Sequence, residues 1–309
     1  MAFLQRGVAF FDSGIGGLTV LSACEKLLPN ENFYYYGDNT NAPYGNLPKE
    51  QIRVYVKQAF DLFARLHVKA AVIACNTVTA LFADELRRRY DFPIIGAEPA
   101  VLQAAKCGGE IYVLTTRATY ESTRFQNLCD SAGRRYPNAK IIKIPCDGLA
   151  GEIENKIGER EATFQKFLPA GNPSAIVLGC THYIYIKEYI RARYACPVFD
   201  GNEGIANRLR QVLALPFNEK LGYSTTEQFF FRKSRDGRPP NANFVVFPPF
   251  FYSKNSVGKK KRIKANKCSH LKLKKAWKIK ANNRLQRVCF LGKSAQKNLN
   301  FYKQTFAFQ

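Results

Sequence analysis

Along residues 1–231, short apolar runs alternate with longer segments whose apolar positions recur at helical spacing. The pattern opens with "GVAFFDSGIGGLTVL", which reads as a buried strand, a Gly-rich turn and a helix. "NFYYYGD" is a second strand, and "PKEQIRVYVKQAFDLFARL" is an amphipathic helix with Pro48 at its start, where proline suits the first turn. "KAAVIACNT" (strand), "VTALFADELRRRY" (helix) and "FPIIGAEPA" (strand and turn) follow. The alternation continues through "AVLQAAK", "EIYVLTTRAT", "ESTRFQNLCDSAG", "KIIKIPC", "GLAGEIENK", "SAIVLGCTH", "YIKEYIRARY" and "PVFD" to the helix "EGIANRLRQVLAL". Such regular alternation predicts an α/β fold with mainly parallel sheets covered by helices. We expect two similar domains, residues 1–97 completed by a return segment near 205–231, and residues 98–204. In sheets of this kind ligands bind beyond the carboxyl ends of the strands, so the active site is expected in the cleft between the domains.

Asp12, Cys75, Thr116, Cys180 and His182 all fall at such strand ends. Their spacing hints at an internal repeat. Asp12 precedes Cys75 by 63 residues, and Thr116 precedes Cys180 by 64. A thiol ending a strand is more often a small core residue than a catalyst, and that is the reading for Cys24, Cys107, Cys129 and Cys196. Cys75 and Cys180 differ because a polar pair follows each at a helix start: Asn76 and Thr77 after the first, Thr181 and His182 after the second. A helix N-terminus favours negative charge, which lowers a thiol pKa and holds a carboxylate. Two such thiols on opposite faces of a ligand would remove a proton from one side of a carbon and return one to the other.

Six ordered stretches carry a resemblance: "FFDSGIGGLTVL", "YYYGDNTNAPYG", "VIACNT", "IIGAEPA", "VLTTRAT" and "VLGCTHY". Together they resemble the cofactor-independent aspartate/glutamate racemase family. The resemblance implies interconversion of L- and D-glutamate, supplying D-glutamate for peptidoglycan, with no pyridoxal phosphate, no other cofactor and no metal. It implies that Cys75 and Cys180 are the acid/base thiols, with Asp12 supporting the first and His182 the second. Glu154 is the match for a further assisting acid. Ser13, Pro43, Tyr44, Gly45, Asn76, Thr77, Thr116, Thr119 and Thr181 match positions that hold the substrate. Related members racemise aspartate or hydantoins or isomerise maleate; "PYG" and "THY" favour glutamate. Two departures stand out: "THYIYI" where an aromatic and then proline are usual, and Ala97 where a larger apolar residue is common. Each role has a plainer rival. Asp12 is well placed as a helix cap, "NAPYG" as a turn, and His182 as a satisfied core histidine.

Composition divides the chain. Its net charge is +23, but residues 232–309 hold 21 of the 47 Lys and Arg residues and a single acid, Asp236. The rest is nearly neutral. The basic segment shows no strand–helix alternation, and neither the strand nor the final helix with which the family closes is legible in it. It is expected to be an irregular or disordered tail, an arm for nucleic acid, or the translation of a wrong reading frame beginning near Phe229–Phe231. A nucleic-acid-binding protein acting through this tail is therefore the rival reading. The nine cysteines are odd in number, and several lie within apolar runs, which argues against a secreted disulfide framework. No apolar run approaches the ~18 residues of a membrane span, and the start lacks a signal-peptide layout. We expect a cytoplasmic enzyme with a small-molecule partner and no membrane; a homodimer is left open.

Overall fold

The computed structural model describes residues 6–156, 161–214 and 288–306. The first half runs β1 (Val8–Asp12), α1 (Gly17–Leu27), β2 (Phe33–Gly37), α2 (Lys49–Arg65), β3 (Ala70–Ile73), α3 (Asn76–Arg89) and β4 (Ile94–Gly96). The second runs α4 (Val101–Ala104), β5 (Gly109–Thr115), α5 (Arg117–Tyr120), α6 (Thr123–Arg135), β6 (Ala139–Pro145), α7 (Leu149–Lys156), β7 (Ala175–Gly179), α8 (Lys187–Tyr194) and β8 (Val198–Phe199). Then come α9 (Asn202–Ala214), β9 (Val288–Leu291) and α10 (Ala295–Phe306).

The strands form two sheets, ordered β4-β3-β1-β2-β9 and β6-β5-β7-β8, and every pairing is parallel. Read from the opposite edge, the second order is β8-β7-β5-β6, the same path as β4-β3-β1-β2. The repeat hinted at by spacing is thus a repeat of topology: β1 corresponds to β5 and β3 to β7. In each sheet the chain leaves the first strand to one side and then returns to the other. That reversal opens a crevice at the strand's carboxyl end, where ligands bind. Asp12 ends β1, and Thr116 follows β5 directly.

Apolar periodicity explains the layers. The central strands are buried on both faces, as in β1 and β7, whose residues are all buried, whereas the edge strand β6 is mostly half-buried. On α2, Ile52, Val56, Ala59, Phe60 and Phe63 form one stripe, packed in a core with Phe11, Ile73 and Phe82. On the other face of that sheet, α9 brings Ile205, Ala206 and Leu209 against Leu18 and Leu21 of α1. One expected helix begins later than its pattern suggests: residues 181–186 form a 3-10 turn, and α8 starts at Lys187.

The carboxy-terminal segment corrects the sequence reading. The strand, turn and final helix judged missing are present over residues 288–306. β9 adds to the open edge of β2, pairing Phe33 with Val288 and Tyr35 with Phe290. Gly292, at φ +82°, makes the turn, where a Cβ would lie 2.7 Å from the Tyr36 ring. On α10, Ala295, Leu299 and Tyr302 share a buried stripe with Phe290. The apolar run "VCFL" is short, and it was lost in the charge of the whole basic segment. Residues 215–287, including the rest of the segment considered for nucleic acid and the proposed frame change near Phe229, lie outside the described residues. Among the described residues no helix is long and apolar enough to cross a membrane.

Candidate active site

The two halves meet at their strand ends, and the Gly-rich turn after β1 permits close approach. A Cβ at Gly14 would lie 2.5 Å from a Glu154 oxygen, and one at Gly16 would lie 2.3 Å from the Thr181 hydroxyl. "GIGG" is therefore the seat of the second half, with Tyr185 of the departing "THYIYI" stretch donating to the Ile15 carbonyl at 2.8 Å.

Cys75 is the N-cap residue of α3, and its Sγ lies 3.6 Å from the Ser13 hydroxyl. Asp12 is fully buried; it accepts from the Gly14 amide at 3.0 Å and from the Thr181 hydroxyl at 3.3 Å. The last contact joins β1 of one sheet to the end of β7 in the other. Burial raises the Asp12 carboxyl above its ordinary 3.8, although His182 and the Gly14 and Gly17 amides pull the other way. Burial, and then the negative charge of Asp12, pushes the Cys75 thiol up to about 12; the Val78 amide and Ser13 work against this. Cys75 is thus held as a thiol.

Cys180 holds the matching place at the end of β7, with its Sγ 3.8 Å from His182 Nδ1. His182 Nε2 lies 2.6 Å from Glu154 Oε2, which also accepts from the Ile15 amide at 3.2 Å. The chain Cys180–His182–Glu154 is nearly sealed from solvent, with the His182 and Glu154 side chains 3% and 6% exposed. Burial disfavours charge on both, but their mutual attraction and hydrogen bonds outweigh it. His182 is held well above its usual 6.5, through Cys180 and Glu154, and Glu154 below its usual 4.5. The pair is an ion pair.

Its pH dependence follows. Stability from Glu154 is present above about pH 4.5 and lost as pH falls through its lowered value; stability from His182 is lost as pH rises through its raised value. We expect Glu154→Gln to cost about 3–5 kcal/mol at pH 7 in urea unfolding. The gap to the unaltered protein should narrow at acid pH. A gap that does not change with pH would rule out the ion pair.

The other sequence-predicted residues gather around these chains. Thr77, Thr116 and Thr119 form a hydroxyl string across the halves, at 2.9 and 3.0 Å. Gly45 faces Thr116, and Pro43 packs on Gly151 of α7, the helix that carries Glu154. Tyr44 is buried and donates to Asp38 at 2.7 Å. Asn76 is turned to the backbone, donating to the Ala97 carbonyl at 3.3 Å. Among the other thiols, Cys24 and Cys129 are core residues as expected, whereas Cys107 is exposed and Cys196 half-buried. Sequence reasoning missed Asp38, Asn39 and Lys297. Asp38 holds Tyr44, and Asn39 donates to Glu154 Oε1. Both sit at the polar end of β2 within "YYYGDNTNAPYG", a signal of the same kind as the one that found Asp12. Lys297 had no such signal. A hollow of about 390 Å³ lined by Cys129, Arg134, Ile141 and Lys143 lies at the β6 edge, apart from the two thiols and their partners.

The profile of the Asp/Glu/Hydantoin racemase family matches residues 19–209, a stretch that includes both cysteines. This chain belongs to that family. Relatives of this racemase family are curated as glutamate racemases. One from Clostridium botulinum (strain Kyoto / Type A2) is 39% identical over 225 residues, 69% of this chain and 86% of the relative. One from Clostridium perfringens (strain SM101 / Type A) is 40% identical over 217 residues, 67% and 82% of the two chains. Among solved racemases, the Escherichia coli glutamate racemase in complex with L-glutamate and the activator UDP-MurNAc-Ala superposes with a TM-score of 0.61 at 28% identity, covering 68% of this chain and 83% of that one. The Francisella tularensis glutamate racemase in complex with D-glutamate gives 0.57 at 28% identity, covering 70% and 83%. The family match ends before β9 and α10.

Proposed function

We propose that this chain interconverts L- and D-glutamate without a cofactor, using Cys75 and Cys180 as paired acid and base. The observation that carries the reading is that these thiols follow equivalent strands, β3 and β7, of two sheets with one topology, and that the sheets meet at the buried Asp12–Thr181 contact. Each thiol reaches the site from its own half. A substrate held between them would present opposite faces of its Cα to the two sulfurs.

The thiolate on one side takes the Cα proton and becomes a thiol. The electron pair left behind delocalises into the substrate carboxylate. The thiol on the other side then gives its proton to the opposite face and becomes a thiolate, so the inverted amino acid leaves with the two sulfurs exchanged in role. Forming the first thiolate requires help, because burial and the charge of Asp12 push the Cys75 thiol up to about 12. A substrate ammonium brought against Asp12 and Cys75 supplies a positive charge that lowers both groups. In this reading the charge of Asp12, which acts on Cys75, assists the first thiol, and the His182–Glu154 pair assists the second; the 3.8 Å Cys180–His182 contact supports the latter. The Thr77–Thr116–Thr119 hydroxyls, Ser13, Thr181 and the Pro43–Gly45 segment are proposed to position the substrate's polar groups; they line both halves and are pre-arranged by one another.

Glutamate as substrate is supported by the named relatives and by the two solved enzymes that hold it. D-glutamate is a building block of peptidoglycan, and supplying it is the role proposed for this chain. Reactive cysteines kept as free thiols suit the reducing cytoplasm. The test is proton NMR of the purified chain in D2O with each enantiomer of glutamate, and with aspartate in parallel. Loss of the Cα proton signal with growth of the opposite enantiomer is expected for glutamate. Faster turnover of aspartate would overturn the substrate, and no exchange with any acidic amino acid by the folded protein would overturn the reaction.

A further inference from the structure

Ser294, at the start of α10, and Lys297 and Asn298, three and four residues further on, share one face of the helix and point to the proposed site. The Ser294 hydroxyl lies 3.2 Å from that of Thr40. Asn298 is fully buried and donates to the Gly37 carbonyl at 3.0 Å. Residues 37–40 also contain Asp38 and Asn39, the partners of Tyr44 and Glu154. Lys297 Nζ lies 3.5 Å from Glu154 Oε1. The four contacts on Glu154 thus divide evenly. His182 and the Ile15 amide hold Oε2, while Asn39 and Lys297 hold Oε1. Three residues after Asn298 on the helix, Phe301 packs edge-on against Tyr185 of the second half at 5.6 Å. A helix beyond the family match therefore touches both halves where they meet.

We propose that α10 belongs to the working site: Ser294 and Asn298 fix the loop that follows β2, and Lys297 is a positioning residue that aims Glu154 at His182. This inference rests on the racemase reading above. The groups facing Glu154 are Asp12, His182, Tyr35, Tyr185 and Lys297. Of these, only His182 and Lys297 become cations. The lysine is over half exposed, so its pull is screened and modest. Its removal leaves Glu154 more basic and lifts a repulsion from protonated His182. Both changes raise the pKa of the pair.

The experiment compares the full chain with Lys297→Met and Lys297→Arg. Because enantiomers are equally stable in water, kcat/KM must be the same from either glutamate enantiomer in every variant, which guards against assay artefacts. We expect Lys297→Met to keep its Tm and to lose roughly two- to five-fold in kcat/KM at pH 7. The limb of its pH profile set by the pair should move up by about half a unit. Lys297→Arg should restore most of both. An unchanged kcat/KM and pH profile in Lys297→Met would overturn the proposal. So would an equal loss in both variants with the profile unmoved, which marks a merely structural contact. Inactivity of the unaltered chain would overturn the racemase reading itself and this inference with it, a result distinct from either.

Discussion

Cys75→Ala and Cys180→Ala are each expected to abolish racemisation, with a loss of at least about 10²–10⁴-fold, the scale of a positioned acid or base. The two losses differ in what survives. A variant with one thiol left can still exchange the Cα proton on the face that thiol sees, with no partner to complete inversion. In D2O, one enantiomer of glutamate should therefore lose its Cα signal slowly without forming the other, and the second variant should show this for the opposite enantiomer. Both thiols are buried, at 5% and 7% exposure, but each substitution removes only the sulfur atom and leaves a small cavity. Tm should fall only slightly in each. Full racemase activity in either variant would end the two-thiol mechanism. Loss of activity with no exchange of either enantiomer would show that the thiols act only together.

Ending the chain after residue 287 should be the most damaging change to stability. It removes Phe290 and Tyr302, which are almost fully buried in the core with Leu18, Phe33 and Tyr35. Truncating one such large side chain costs about 3–5 kcal/mol, and whole domains are stable by only about 5–15 kcal/mol. Losing both, with Val288, Leu291 and Leu299, exceeds what the first half is expected to withstand. The deletion also leaves β2 as an unpaired edge, an invitation to aggregate. We expect an insoluble protein, or a soluble one without a cooperative thermal transition. Phe290→Ala, a milder cut, should lower Tm while leaving a folded protein. A truncated chain that melts cooperatively at the Tm of the full chain would show that β9 and α10 are dispensable.

Much of this molecule could be read in advance, and the reason is local. A parallel strand buried on both faces must be a continuous apolar run, and the helix that follows must show an apolar stripe. Those patterns identified β1 to β8 and the helices between them except the short α5, whose residues read as a turn. Polar residues that end such runs, such as Asp12, Cys75, Thr116 and Cys180, had to lie at one rim of a sheet. The repeat was legible for the same reason, since equal spacing of strand ends follows from equal topology. The pattern failed at β9 and α10. Four apolar residues inside a strongly basic stretch carry little signal of their own, and only the vacant edge of β2 gives them a partner.

What the sequence by itself determined is the α/β alternation, the doubled plan and the residue types at each strand end, because backbone geometry and burial of apolar side chains act over a few residues. Tertiary structure alone decided which of those ends meet. It brought Thr181 to Asp12, Glu154 to His182, and Lys297 to Glu154 across 143 positions of chain. It also turned Asn76 away to the Ala97 carbonyl and gave the glycines after β1 their purpose. Such contacts depend on how two sheets and a distant helix close on one another. Burial and neighbours then set the charges: at His182 and Glu154 hydrogen bonds and mutual attraction outweigh desolvation, whereas at Cys75 desolvation and Asp12 keep the thiol protonated, and no single stretch of sequence contains those neighbours.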